Sequence, residues 1–335
     1  MEYLITLRGL VKPCLSRRAR LLHHMYTWIR ILTESTLVIH NAIPHTAPCK
    51  ELWSRGLDTE EINRLTQRRA TVAAYDQSGR LDDFLFLPVT QSESDRDLNI
   101  DDPKDSQVNL GDIHLVDSRK VPDELHTVVN GVSETWLGLL SQTTRLANVM
   151  DQLNSRTCST NTNQLLALHR RSLYLENMIC SFTSRKPPSQ GGPEAYMLQA
   201  LNSALIIYFY RRVRQVNPYI LQGYVTQIIE ELHKWDEALV QHQLLGPGTA
   251  WPAFMAGCEA LGQREQLELS QWLNKAALQS GFSSYSTARS VMEEVWKRRD
   301  SRFGGVDSSE SQSRGPVSFS WTDLSKQNLH WLLLC

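Results

Sequence analysis

Apolar residues recur at every third or fourth position along much of the chain, which is the spacing of an amphipathic helix. One such stripe runs from Trp136 to Leu153 through Leu139, Leu140, Thr143, Leu146, Val149 and Met150. A second runs from Tyr219 to Leu239 through Ile220, Tyr224, Val225, Ile228, Ile229, Leu232 and Trp235, with the acidic residues and Lys234 largely on the other side. The run from Ala204 to Tyr210 is apolar all round and predicts a buried helix.

Helix start and stop signals agree with this periodicity. Asn217 followed by Pro218 predicts a capped helix start, and a glycine-proline-glycine run at 246–248 marks the end of that helix. Further helices are predicted at 264–279, stopped by Gly281, and at about 287–299. Alternating strand patterns are scarce. The fold prediction is all-α, either a multi-helix bundle or an array of stacked helix pairs, with an acidic loop insert.

Three polar segments divide the chain. Residues 91–124 hold ten acidic against four basic residues and predict an acidic loop or disordered insert. A Pro- and Gly-rich stretch at 183–193 predicts a connection between helices, and 300–318 predicts a mobile Ser/Gly-rich linker. The sequence predicts six successive segments: a basic segment 1–14, a helical part 15–90, the insert 91–124, a main helical domain 125–299, the linker 300–318 and a tail element 319–335.

Composition excludes several classes of protein. The apolar fraction of 41% and charged fraction of 21% are those of a folded chain, and the net charge of -1 excludes a globally basic nucleic-acid binder. No apolar run approaches the roughly 20 residues of a membrane span, so no membrane partner is expected. The basic first twenty residues resemble a mitochondrial presequence, but Pro13 interrupts the amphipathic helix that such a signal needs.

Metal and catalytic motifs are missing from the sequence. The six cysteines are widely separated and predict free buried thiols, with no zinc spacing among them. Neither the His23-His24 pair nor His233 with His242 has the i, i+4 spacing of a metal site, so we interpret these histidines as structural or surface residues. No nucleophile elbow, dinucleotide fingerprint or phosphate loop is present. No cofactor and no catalytic residue is therefore predicted.

Two clusters remain as candidate contact sites for a partner or a ligand. The first is Tyr210, Arg211 and Arg212 at the end of the predicted buried helix. Its arginines suit the helix dipole and pairing with acidic neighbours, and alternatively form a contact surface for a partner or an anion. The second extends from Trp251 to Glu259, where small residues allow close helix packing. An acid on such a compact helix must find a partner or face a cavity.

Several runs of sequence resemble fungal-specific transcription factors. Those similar to the C-terminal regulatory region of that family are ALIIYFYRRV at 204–213, WPAFMAGCEA at 251–260, Trp272-Leu273, Gly281-Phe282 and VMEEVW at 291–296; SWTDL at 320–324 resembles its closing tryptophan element. The runs HHMYTWIRILTEST at 23–36 and GVSETWLGLLSQTTRLANV at 131–149 are similar to the branch related to the fungal arginine-metabolism regulator.

The resemblance implies a helical regulatory domain that works with a zinc-cluster DNA-binding module, in a nuclear transcription regulator. That module needs six closely spaced cysteines, which this sequence lacks, so no direct sequence-specific DNA contact is expected from the chain. The implied partners are another transcription factor or a homodimer partner, with a small-molecule effector also implied. The alternatives are a non-catalytic helical scaffold or partner-binding protein and, third, an enzyme using Glu259 as a cavity acid.

Overall fold

The computed structural model describes residues 17–36, 131–155, 162–184, 192–303 except 245 and 247, and 319–328. Within these ranges it contains nine α-helices, one 3-10 helix and no strand, which confirms the all-α prediction. The α-helices are α1 (Arg17–Thr36), α2 (Glu134–Ser155), α3 (Thr162–Thr183), α4 (Pro193–Arg212), α5 (Gln222–Gln241), α6 (Trp251–Glu259), α7 (Gln263–Ser280), α8 (Ser283–Phe303) and α9 (Trp321–Asn328). The 3-10 helix is Pro218–Leu221 and directly precedes α5.

The described residues fall into two compact units. The first holds 17–27, 131–155 and 162–169. Its core includes the predicted stripe of α2, since Trp136, Leu139, Leu140 and Leu146 are all buried. Thr143, on the same stripe, is also buried, and its hydroxyl donates a hydrogen bond to the carbonyl of Leu139 at 2.8 Å. The i, i−4 bond satisfies a polar group that would otherwise be costly to bury.

The second unit holds 28–36, 170–184, the described residues of 192–303, and 319–328. Its middle is the short helix α6, all nine residues of which are buried. Helices α4, α5, α7 and α8 each pack against α6, and α9 packs on α8. Helix α4 is buried along most of its length, as its all-round apolar sequence predicts. The predicted helix connection at 183–193 fits the end of α3 at Thr183 and the start of α4 at Pro193, although 185–191 lie outside the described residues.

The start of α5 differs from the sequence prediction. Asn217 caps as expected, because its Oδ1 accepts the Tyr219 amide at 3.0 Å. The capped turn is the 3-10 helix, however, so Tyr219 and Ile220 rotate out of the apolar stripe and are exposed. Glu231, which the pattern placed on the polar side, is buried with its carboxylate 2.8 Å from the Lys234 ammonium. The pattern therefore predicted the helix correctly but misplaced its first turn and the buried side chain of Glu231.

The other helix ends follow their sequence signals closely. α7 covers the predicted 264–279 and is closed by Gly281 at φ 71°, and Pro252 lies in the first turn of α6 as predicted. α8 is longer than the predicted 287–299, running from Ser283 to Phe303, where the sequence reaches two glycines of low helix propensity. Among the helices that the structure describes, none is long and apolar enough to cross a membrane.

Gly281 gives a first testable prediction. Its φ of 71° is left-handed, and a Cβ placed there would meet no atom within 4 Å, so only the backbone conformation opposes a side chain. We expect Gly281→Ala to lower the free energy of unfolding by about 1 kcal/mol, measured by urea titration. Gly223→Ala, in helical backbone of α5 with equally open surroundings, should raise it by up to about 1 kcal/mol. A loss of stability in both variants would contradict the backbone explanation.

The predicted segments 1–14 and 91–124, and most of 15–90 and 300–318, lie outside the described residues. The division of the chain into those segments stays a prediction.

Candidate regulatory site at the end of the central helix

The end of α6 is the point where most helices of the second unit meet. Small residues make this possible, because they let neighbouring helices approach closely. A Cβ added at Gly257 would overlap the side chain of Met292 on α8. Trp251, at the other end of α6, is fully buried and donates its indole N–H to the Ser35 hydroxyl of α1 at 2.9 Å. The compact sequence of α6 therefore serves packing along its whole length.

The last carbonyls of α6 are satisfied by side chains, because a helix end leaves them without partners in the helix. Trp296 of α8 donates to the Gly257 carbonyl at 2.8 Å. Gln222 of α5 donates to the Glu259 carbonyl at 2.9 Å, and Gln266 of α7 donates to the Ala260 carbonyl at 3.1 Å. The Oε1 of Gln222 also accepts the Leu261 amide at 3.2 Å. Polar side chains from three helices thus fix where α6 ends.

Glu259 is the last residue of α6, and its carboxylate lies between two arginines. Its Oε2 is 2.9 Å from Nε of Arg211 at the end of α4 and 3.3 Å from Nη2 of Arg299 on α8. The three side chains are only 1%, 11% and 6% exposed, respectively. Low exposure strengthens such pairs and makes the loss of either partner costly. The acid has found partners, as one of the two sequence alternatives required.

The titration of Glu259 gives a second prediction. Burial raises the pKa of Glu259 above the usual value of 4.5, and the charges of Arg211 and Arg299 oppose that rise. The folded protein therefore holds this proton more tightly than the unfolded chain does. The contribution of Glu259 to the free energy of unfolding is fully present below the pKa that this group has in the unfolded chain. It is lost as the pH rises through the pKa that the group has in the folded protein. Over that window the free energy of unfolding should fall with pH, and Glu259→Gln should remove this component.

Urea titrations of the wild-type chain and of Glu259→Gln at several pH values from about 4 upwards would give the free energy of unfolding at each pH. The difference between the two slopes of that free energy against pH measures the contribution of Glu259. Glu293→Gln is the control, since Glu293 is a half-exposed partner in a surface pair with Arg289. An unchanged slope in Glu259→Gln would contradict the prediction.

The tail element contacts the same cluster. Arg299 donates its Nε–H to the Phe319 carbonyl at 2.7 Å, so one guanidinium binds both the acid and the tail. The Trp321 ring lies edge-on to Phe254 of α6, with centroids 6.0 Å apart, and the Arg212 guanidinium carbon is 5.8 Å from the centre of that indole ring. Such contacts of an aromatic ring with a second ring and with a cation are both favourable.

Tyr210 and Arg214 form a separate group around Glu176 of α3. Tyr210 donates its hydroxyl to one carboxylate oxygen of Glu176 at 2.9 Å, and Nε of Arg214 donates to the other at 2.9 Å. Burial and then the hydrogen bond to Glu176 raise the pKa of Tyr210 well above its usual value. Successive residues at the end of α4 therefore point to different acids.

The structure brings together only part of the predicted site. Arg211 and Glu259 meet, Arg212 contacts the tail beside them, and Tyr210 and Trp251 each have other partners. Contact of these five residues with a partner or ligand stays a prediction. Sequence reasoning missed Arg299, although the spacing of apolar residues along α8 signals that this position is buried. It continues a buried stripe at helical spacing, formed by Tyr285, Ala288, Met292 and Val295.

The histidines and cysteines that the sequence offered as possible metal ligands do not form a site among the residues that the structure describes. His233 and His242 are exposed, with His233 Nε2 3.6 Å from a Glu268 oxygen, and the side chains of His23 and His24 lie outside the described residues. Cys258 is a buried free thiol whose pKa is raised by burial, as predicted for the cysteines, but Cys180 is exposed because it lies on the outer face of α3. In the part of the chain that the structure describes, no three His, Cys, Asp or Glu residues are grouped so that they could hold a metal.

Comparison with known proteins points to one class. A family model described as "Fungal specific transcription factor domain" matches residues 1–335. The chain is also similar to arginine metabolism regulation protein II of Saccharomyces cerevisiae, with 38% identity over 96 residues, which are 29% of this chain and 11% of that protein. The match thus covers a small part of the length of this relative. No solved structure matches the chain.

Proposed function

The chain belongs to the family of fungal-specific transcription factor domains, and from this premise we propose that it regulates transcription as a helical regulatory domain that acts through a partner factor. The family match over residues 1–335 carries the proposal, and it confirms the resemblance that the sequence runs indicated. The similarity to a protein named as a metabolic regulator supports the same class. The proposal places the chain in the nucleus, where such regulators work.

The partner supplies DNA recognition in this proposal. A zinc-cluster module needs six cysteines in one short stretch, and those of this sequence are at positions 14, 49, 158, 180, 258 and 335. The net charge of -1 gives no general attraction to phosphate either. We therefore assign to these residues regulation and contact with a DNA-bound factor, rather than the reading of bases.

The geometry of Glu259 favours a regulatory domain over an enzyme. A catalytic acid must be accessible to its substrate, but the carboxylate is buried against Arg211 and Arg299. The same cluster joins α4, α6 and α8 to the tail. An arrangement in which one charge cluster holds several elements together suits a domain that passes a signal between partners. A scaffold without a regulatory role remains the second candidate, with the same structure and different partners.

Tethering tests the proposal directly. The chain is fused to an unrelated DNA-binding domain in a fungal host, and output of a reporter carrying that domain's site is measured. We expect a change in output relative to the DNA-binding domain alone, together with nuclear fluorescence of a tagged chain and its recovery with a DNA-bound transcription factor. Unchanged output and recovery of cytosolic proteins only would overturn transcriptional regulation and leave the scaffold.

A further inference from the structure

Ser301 lies on the exposed face of α8, two residues before that helix ends at Phe303. Its hydroxyl donates a hydrogen bond to the Lys297 carbonyl, one turn earlier. Lys297 is exposed, and the side chain of Arg298, three residues before Ser301, is 34% exposed. Residues three and four positions apart are neighbours on a helix surface. An accessible hydroxyl therefore stands beside two cationic side chains.

The sequence before Ser301 has the spacing that arginine-directed serine kinases select. Arg298 and Arg299 stand three and two residues before the serine, in the run RRDS at 298–301. Such kinases bind the two guanidinium groups with carboxylates, which pair with arginine through strong charged hydrogen bonds. Among the serines and threonines that the structure describes, only Ser301 has arginine at both positions. The sequence repeats the spacing before Thr71, which lies outside the described residues.

The same two arginines hold Phe319, the residue at which the tail element begins. The guanidinium carbon of Arg298 is 5.5 Å from the centre of the Phe319 ring, and Nε of Arg299 donates to the Phe319 carbonyl at 2.7 Å. Arg299 is also buried against Glu259, so it cannot reach a kinase without leaving both contacts. A kinase binds the residues around its serine as an extended segment, so the end of α8 must also unwind locally. Recognition by a kinase and docking of the tail therefore compete for the same two side chains.

We propose that Ser301 is a phosphorylation site for an arginine-directed serine kinase, and that the docked tail protects it. The kinase transfers the γ-phosphoryl group of ATP to Oγ of Ser301. A bond forms between that oxygen and phosphorus, the bond from phosphorus to the leaving oxygen of ADP breaks, and the hydroxyl proton passes to the catalytic aspartate of the kinase. The modification deepens the proposed function and rests on it only for its effect on transcription.

Once formed, the phosphate opposes renewed docking of the tail. It places roughly two negative charges near the C-terminal end of α8, where the helix dipole favours cations instead. It also stands within reach of Arg298, and arginine binds phosphate through strong charged hydrogen bonds. That bond draws Arg298 away from the Phe319 ring and from its pair with Glu294. The phosphorylated chain therefore holds its tail less tightly than the unmodified chain does.

Phosphorylation of the purified chain tests the proposal. The probe is ATP with the catalytic subunit of cyclic-AMP-dependent protein kinase, which selects arginine at both positions, and mass spectrometry identifies the modified residue. We expect phosphate on Ser301, its absence from that peptide in Ser301→Ala, and a lower rate in Arg298→Met, which lacks one of the selected arginines. Trp321→Ala should be phosphorylated at Ser301 at least ~10-fold faster than the wild-type chain, since its tail no longer stays docked.

Ser290 is the internal control on the same helix. It is exposed, and its hydroxyl donates an equivalent hydrogen bond to the carbonyl of Ser286, four residues earlier. Thr287 and Ala288 stand three and two residues before it, in place of the two arginines. Ser290 should therefore stay unmodified in every variant, and equal phosphorylation of Ser290 and Ser301 would overturn the assignment of the site.

Protection by the tail has its own control. Thr322→Ala keeps the Trp321 ring, so it should be phosphorylated at the wild-type rate. Equal rates in Trp321→Ala and in the wild-type chain would overturn the protection. Absence of phosphate from Ser301 in both proteins would overturn the site itself.

A second measurement needs no variant of the tail. Amides of α9 should exchange with solvent about 3-fold faster or more in the wild-type chain after phosphorylation than before it. Ser301→Ala treated with the same kinase and ATP should show no change. Unchanged exchange of α9 in the phosphorylated wild-type chain would overturn the effect on docking.

The tethered reporter separates this proposal from the proposed function. Phosphate on Ser301 with unchanged reporter output would leave the site standing and remove its role in transcription. A changed output with no phosphate on Ser301 would overturn the site and leave the transcriptional proposal standing.

Discussion

Arg299→Met is expected to lower the free energy of unfolding by about 3 kcal/mol or more. The variant keeps much of the aliphatic volume but leaves the buried Glu259 with Arg211 alone, and it removes the donor that satisfies the Phe319 carbonyl. Breaking one member of a buried charge group costs far more than breaking a surface pair, because the remaining charge stays without water. Urea titration at constant pH would measure the loss.

Arg289→Met is the control on the same helix. Arg289 pairs with Glu293 at 3.3 Å and donates a hydrogen bond to Asn274 Oδ1 at 2.7 Å, and both contacts are accessible to solvent. Their loss should therefore cost no more than about 1 kcal/mol. The charge of Arg299 lowers the pKa of Glu259, so in Arg299→Met the fall of stability with rising pH should extend to higher pH. Equal losses in the two arginine variants would show that the buried charge cluster stabilises the fold no more than a surface ion pair does.

The helices could be predicted from the sequence because the signals that define them are local. The stripe of α2, the stop at Gly281 and the first-turn Pro252 of α6 each depend on residues within a few positions of one another. The first turn of α5 was predicted wrongly because it is too short for a local pattern to define. Periodicity cannot tell a 3-10 turn from an α turn over four residues, and the difference decides whether Tyr219 and Ile220 are buried or exposed.

The candidate site was only half predictable because its contacts are distant in sequence. The small residues around Glu259 indicated an acid that needed a partner. The position of Arg211 at the end of a buried helix indicated a cation able to pair with an acidic neighbour. Nothing local states that the two meet, or that Arg299 joins them from 40 residues away. The carbonyls at the end of α6 were likewise predictable as groups in need of donors. Their donors, such as Gln222 and Trp296, became visible only in the packed structure.

The tail carries the second large expected effect. Trp321→Ala should release the element 319–328 from the second unit while the remaining helices stay folded. Trp321 is buried, and its contacts to Phe254 and Arg212 are lost with its ring. Removing a buried tryptophan costs about 3–5 kcal/mol. A helix of eight residues cannot persist alone, so α9 should unfold when its docking is lost.

Hydrogen exchange followed by mass spectrometry gives the measurement. Exchange of the amides in α9 should become about 100-fold faster or more, which corresponds to about 3 kcal/mol at 1.4 kcal/mol per factor of ten. Exchange in α5 should change much less, because α9 packs chiefly on α8. Thr322→Ala is the control in the same helix, since Thr322 is half-buried and makes neither aromatic contact of Trp321.

Comparison of Arg299→Met with Trp321→Ala separates the docking of the tail from the charge cluster. Arg299→Met should accelerate exchange in both α9 and the end of α6, because Arg299 binds the Phe319 carbonyl and Glu259 together. Trp321→Ala should leave the end of α6 protected, since Glu259 keeps both arginines. If instead Trp321→Ala exposed every helix of the second unit equally, the tail would be part of the core that folds with α6. The tail could not then be released while the rest of the unit stays folded.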